Sequence, residues 1–228
     1  MDKESHIGIV YNPDDKAWIA GSYYIENIVK SLAMVSGRVL PVVHVLCPSK
    51  KSFDSFSQRT GYPKLVYESK CKLVAFLGKL LNAFSKRLRG KEQFLFRTYK
   101  FPPIVKLIYP ANVVDFYDDK SKLLAWIPDL QEKHLPEFFS KKDLEYRKET
   151  HLRYIREQIP IVFSSKDSEG DFKRFYNFPN LRSFVLPFAV HHPDFSNLNI
   201  DSIKKKYGIA KRYLFCANQF WMHKNHKF

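Results

Sequence analysis

An α/β fold, a doubly wound and mostly parallel sheet of Rossmann-like kind, is what this sequence predicts, and three observations predict it. Short apolar runs suited to strands alternate along the chain with stretches whose apolar residues recur at helical spacing. The run at 39–47 is apolar almost throughout, as a parallel strand covered on both faces must be. With 228 residues, 45% hydrophobic and 16% aromatic, the chain has ample apolar material for a core. Its length fits one domain, or one domain and part of a next.

The first run, 6–11 (HIGIVY), reads as a strand that stops at the turn cluster Asn12-Pro13-Asp14-Asp15. A helix is expected at 23–33, where Tyr24, Ile28 and Leu32 recur beside Ile25 and Val29, and Gly37 is placed to end it. With the strand at 39–47 these make a β–loop–α–β unit, joined by a right-handed crossover. A short helix at 52–62 and a short strand at 64–67 follow. Residues 72–88 read as an amphipathic helix, with Leu73, Leu77, Leu80, Phe84 and Leu88 on one stripe and Lys72, Lys79 and Lys86 on the other. Strands are expected at 106–109 and 113–117, around Pro110, and at 123–127, ended by Pro128-Asp129. From Pro136 the pattern is helical to Glu157, and Pro160 breaks it.

A strand at 161–163 leads into Ser164-Ser165, which suit the N-cap of a helix beginning near Asp167. The last elements are a strand at 183–188, a helix at 201–207 ended by Gly208, and a strand at 213–217. A final parallel strand without a crossover helix points to a truncated second domain; the alternative is a tail paired on the edge of the first. The division expected is a domain at 1–205 and the start of a second at 206–228.

The formal net charge of +15 calls for an anionic partner, and charge alone admits nucleic acid, a membrane leaflet or a phosphorylated substrate. Residues 64–106 hold eleven Lys or Arg against Glu68 and Glu92, so much of the charge forms a patch. The three cysteines, Cys47, Cys71 and Cys216, show no metal-ligand or CxxC spacing. Cys47 and Cys216 lie in strand-like runs and read as small buried hydrophobes, which suits a reducing cytoplasm. No apolar signal segment follows Met1, and no uncharged run approaches the roughly 20 residues that cross a bilayer. Membrane contact is therefore expected to be peripheral, on the inner face.

Four segments, in order, resemble the retaining GT-B glycosyltransferases often called family 4. They are Ala20-Gly21-Ser22-Tyr23-Tyr24; Trp126-Ile127-Pro128-Asp129-Leu130-Gln131 and onward to Arg147; Ile161-Val162-Phe163-Ser164-Ser165 with Asp171 and Val185-Leu186-Pro187-Phe188; and 204–207 with 213–226. The second and fourth are fairly specific, the others generic to α/β folds. The resemblance implies an N-terminal acceptor-side domain facing a C-terminal domain that holds the nucleotide-sugar. Lys224 matches the lysine of the basic pair that the family places on the donor diphosphate, and Asn218 falls near where its arginine stands. The family's acidic donor motif would lie beyond Phe228, so residues 1–228 alone are expected to be inactive.

Gly21 either lets the backbone pass close to bound sugar or phosphate, or is an ordinary turn glycine. Asp129 can accept hydrogen bonds from sugar hydroxyls, or cap the next helix. His134 stands two residues after the position where relatives often carry a histidine, here Glu132; it replaces that group or sits on a surface turn. Asp129 and His134 are the catalytic candidates; Gly21, Asn218 and Lys224 are the donor-binding ones. His191-His192 has no third ligand at a plausible spacing, and the family needs no DxD-held metal. Arg147, Arg153 and Arg156 read as a solvated helix face.

The function expected is glycosyl transfer, with retention, from a nucleotide-sugar to a glycan or lipid-linked acceptor in polysaccharide or glycolipid assembly. The nucleotide-sugar is a substrate; no cofactor is called for. Lys72, Lys79, Lys86, Arg87 and Arg89 form a patch for an anionic membrane surface. Nucleic acid is not expected, since no RNP, KH or helix-turn-helix pattern accompanies the basic residues. The alternatives are a non-catalytic anion- or membrane-binding module, and a degenerate transferase domain kept for partner binding.

Overall fold

The computed structural model describes residues 4–13, 19–35, 39–69, 101–112, 114, 117, 119–176, 180–192, 194–216 and 224. Its first unit is β1 (His6–Val10), α1 (Ile19–Ala33), β2 (Val42–Cys47), α2 (Lys50–Thr60) and β3 (Leu65–Ser69). Then come β4 (Leu107–Tyr109), β5 (Ala125–Ile127), α3 (Gln131–His134), α4 (Lys141–Arg156), β6 (Ile161–Phe163), α5 (Lys166–Phe175), β7 (Ser183–Val185) and α6 (Ile200–Lys206).

Four strands form a parallel sheet in the order β3-β2-β1-β4, and three more a parallel sheet in the order β5-β6-β7. The two are joined edge to edge. Ile108 and Leu123 form a parallel bridge, Leu124 donates its N–H to the Ile108 carbonyl at 3.0 Å, and Ala111 donates to Leu124 at 2.9 Å. The row therefore runs 3-2-1-4-5-6-7, and the order reverses between β1 and β4. That is a doubly wound, Rossmann-like arrangement.

Side chains alternate between two cores because successive strand residues face opposite ways. Ile9, Tyr11, Val43, Val45 and Cys47 pack with Tyr24, Ile25 and Val29 of α1 and with Phe53 and Phe56 of α2. Ile108, Ala125, Ile127, Ile161 and Phe163 pack on the other side with Tyr154 of α4 and Phe172 of α5. Cys47 is fully buried, as its strand predicts. Tyr11 donates to Glu26 at 2.7 Å, and Arg59 pairs with the same buried carboxylate at 3.0 Å, tying α1 and α2 to the exit of β1. On the opposite face the Phe101 ring lies flush on β1: a Cβ at Gly8 would come within 2.9 Å of it.

Several boundaries differ from the sequence expectation. Helix α1 starts at Ile19, not 23, because Gly21, Ile25 and Val29 continue one buried stripe a turn earlier. Gly21 is thus a residue of the first helical turn and not an ordinary turn glycine. Strand β2 starts after Pro41, which has no N–H for the ladder, and Val39 is exposed. Where a strand is expected at 113–117, Val114 lies in a 3-10 turn; Tyr117 donates to its carbonyl at 3.3 Å, the two bury their side chains in one core, and residues 113, 115 and 116 lie outside the described residues.

The helical stretch from 136 is divided into a 3-10 turn at Pro136–Phe138 and α4, because Ser140 caps a fresh start by accepting from the Asp143 N–H at 3.1 Å. Strand β7 ends at Val185, two residues before Pro187. Residues 213–216 form no strand: Leu214 and Phe215 are exposed, and so is Cys216, which the sequence reading buries. Gly37, Cys71, the helix at 72–88 with Lys72, Lys79, Lys86, Arg87 and Arg89, and Asn218 lie outside the described residues.

Helix α2 has both ends closed locally. Ser49 accepts from the Ser52 N–H at 3.1 Å, and Gly61 takes a φ of 61° while its N–H bonds the Ser57 carbonyl. Ser49→Ala is expected to cost about 1 kcal/mol, a fall in Tm of roughly 2–4 °C, whereas Ser49→Asp keeps the cap and the melting point. Thermal unfolding of the two variants checks this.

Candidate functional site

All strands are parallel, so their carboxyl ends share one edge, where α/β folds place their ligands. At the ends of β5 and β6 that edge opens into a pocket of about 310 Å3. One wall is the segment leaving β5, with Pro128, Asp129, Gln131 and His134; the other is the start of α5, with Ser165, Asp167, Ser168 and Asp171. Leu130, itself buried in the core, and Leu135 complete the lining.

The walls are held together by hydrogen bonds between distant residues. The buried Ser168 hydroxyl donates to the Pro128 carbonyl at 2.9 Å, fixing the first turn of α5 against the exit of β5. Ser165 caps α5, accepting from the Ser168 N–H at 3.0 Å, as the sequence predicts. Below the pocket the Trp126 indole donates to Ser164 at 3.0 Å and stacks on Tyr24 with ring centroids 4.1 Å apart. The Phe188 ring, beyond β7, stands edge-on to Tyr24 at 5.1 Å.

Asp129 is half-buried, and its Oδ1 accepts the Gln131 N–H at 3.3 Å. This is a weak version of the helix-capping role, one residue before the N-cap Leu130, which makes no side-chain cap bond. His134 ends α3, and its Nε2 lies 2.5 Å from Asp171 Oδ2, with the ring edge-on to Phe175. The two catalytic candidates therefore line one pocket, and His134 is not an isolated surface histidine. Of the donor candidates, Gly21 is in α1 at the exit of β1 and Lys224 is exposed, and neither lines the pocket.

Glu132 sits behind the wall, 5% exposed, with Arg147 donating to its Oε2 at 3.3 Å. Arg147 is thus half-buried and paired, not part of a solvated face. His151 approaches the Glu132 Oε1 at 3.9 Å and the Tyr176 hydroxyl at 3.0 Å. Burial, aided by the charges of Arg147 and Lys133, pushes the His151 imidazole down to about 4, and burial with the Glu132 charge pushes the Tyr176 hydroxyl up to about 12. Both are neutral near pH 7. The cluster pins α3, and with it the wall that carries His134, onto α4.

Sequence reading missed Asp167, Ser168 and the role of Asp171. The available signal was the i, i+4 spacing of Asp167 and Asp171 just after a capped strand exit, which puts both on one face of α5. His191 and His192 are exposed, the former donating its N–H to Asn27 at 3.1 Å. Among the described residues no group of three His, Cys, Asp or Glu is placed to hold a metal ion. Comparison of the chain with protein-family models found no match, and neither did comparison with curated proteins or with solved structures.

The neutral His151 gives stability a pH dependence. The unfolded chain protonates it near 6.5 and the folded chain near 4, so between these values the unfolded state holds the extra proton. Stability is full above the upper value and falls as pH drops toward the lower, by up to about 3 kcal/mol. His151→Gln, which cannot titrate, should flatten that slope. Urea unfolding of parent and variant from about pH 4.5 to 7 measures it.

Proposed function

We propose that this chain is the acceptor-side domain of a GT-B glycosyltransferase, which passes a sugar from a nucleotide-sugar to a glycan or lipid-linked acceptor. One observation carries the reading: two of the segments that resemble the family, 126–140 and 161–171, are separate in sequence yet supply both walls of one pocket. That pocket opens at the carboxyl edge of a parallel sheet, where ligands bind in such folds. Its volume is at the small end of ligand pockets, enough for one sugar ring.

In the transfer, the bond from the anomeric carbon to the diphosphate oxygen breaks and a bond to an acceptor oxygen forms. The proton of the acceptor hydroxyl must leave. Asp129 accepts a hydrogen bond from a sugar hydroxyl and orients the ring, while His134, held by Asp171, stands beside it to handle that proton. Asp129 and His134 are the residues assigned to touch substrate. The departing diphosphate needs positive groups, for which Lys224 is the candidate in this chain. No helix among the described residues is long and apolar enough to cross a membrane; the charge of +15 favours attachment to an anionic leaflet from outside it.

The test uses the whole gene product that carries these residues, a panel of nucleotide-sugars and a membrane extract as acceptor. Sugar incorporation is the expected result, and no incorporation from any donor contradicts the proposal. Asp129→Asn keeps the oxygen that accepts from Gln131 but removes a charge-assisted bond worth about 1.5–3 kcal/mol. It should lower kcat/KM by roughly 10- to 100-fold while leaving the melting temperature near the parent value. Parental kinetics would reduce Asp129 to a helix-capping residue.

A further inference from the structure

We infer that the pocket at the ends of β5 and β6 admits an uncharged or amino-bearing polyhydroxyl ring and turns phosphate groups away. As the acceptor subsite of a transfer reaction it rests on the transferase reading; the chemistry it selects rests on the cavity itself. In a chain of net charge +15, no Lys or Arg among the described residues lines this cavity, while Asp129, Asp167 and Asp171 do.

A helix N-terminus beside a cavity ordinarily attracts phosphate, through roughly half a positive charge and free N–H groups. Here α5 offers little of either. Asp167 and Glu169 already occupy its first turn, and Ser165 takes the Ser168 N–H. Asp129 and Asp167, with Asp171 shared with His134, outweigh that half charge, so a phosphate carrying about 1.5–2 negative charges is repelled.

Sugar hydroxyls meet the opposite situation. Ionised carboxylates only accept hydrogen bonds, and a polyol brings donors in several directions. Ser165 and His134 can complete the polar contacts, and the carbons of Pro128, Leu130 and Leu135 offer an apolar surface for the C–H face of a ring. An ammonium group on that ring would form charge-assisted bonds with the same carboxylates. The acids are not disposed as a metal site, since no group of three ligands among the described residues fits one.

Saturation-transfer NMR on the 228-residue chain, with glucose, glucosamine and glucose 6-phosphate as probes, decides the matter. Glucosamine should bind at least about threefold more tightly than glucose, and glucose 6-phosphate should give no signal at the same concentration. Asp171→Asn also releases His134, so Asp167→Asn, exposed on the first turn of α5, is the second variant. Each should bring the glucosamine preference toward parity while glucose still binds. Glucose 6-phosphate binding as well as glucose, or no binding of any of the three, overturns the inference. The two readings fail separately: this order of binding without nucleotide-sugar turnover sinks only the transferase, and transfer to phosphorylated acceptors through this pocket sinks only the subsite.

Discussion

Parallel backbone pairing between very short strands is the constraint on which the molecule rests. Strands β4 to β7 are three residues each, too short to be stable as isolated pairs. They persist because each is paired or bridged to the next, and because the Ile108–Leu123 bridge joins them to the longer strands β1 to β3. Burial on both faces then does the rest: Ala125 and Ile127 pack one way, Trp126 the other. Every strand of the row ends on the same edge, so the segments leaving β5 and β6 emerge side by side. The Ser168–Pro128 hydrogen bond turns that adjacency into a walled pocket.

Charge is divided unevenly around that edge. The chain is strongly basic, yet two of the cations near the pocket wall are committed elsewhere. Arg147 serves the buried Glu132, and Lys133 lies over the Tyr176 ring with its amine 4.7 Å from the centroid. A buried carboxylate without such partners would be costly, so Arg147 is held at Glu132 behind the wall and does not offset the acids that line the cavity. This follows from the helix order: α3 is one turn long, and its buried Glu132 and exposed His134 face opposite ways.

Much of this was legible in the sequence, for local reasons. The caps at Ser165 and the stop at Gly208, whose φ is 65°, are set by side chains one to three residues away. The apolar run at 39–47 located β2 to within its proline. What escaped was non-local. Val114 looks like a strand residue, yet it lies in a 3-10 turn. Residues 213–216 have the composition of a strand, yet they are exposed and in no strand. His134 and Asp171 are 37 residues apart, and only the parallel pairing of β5 with β6 brings their helices together. Asp129 was singled out by its place after a strand and His134 by the resemblance; Asp171 joins them in the pocket only through the fold.

Amide hydrogen exchange of the whole gene product, with and without a saturating sugar acceptor, tests the central claim most directly. The acceptor should slow exchange in peptides covering 128–135 and 165–171 together, since the two segments are opposite walls of one site. Peptides from β2, α2 and β3 should be unchanged. Protection confined to either wall alone, or centred on the β1–α1 exit with none at this pocket, would contradict it.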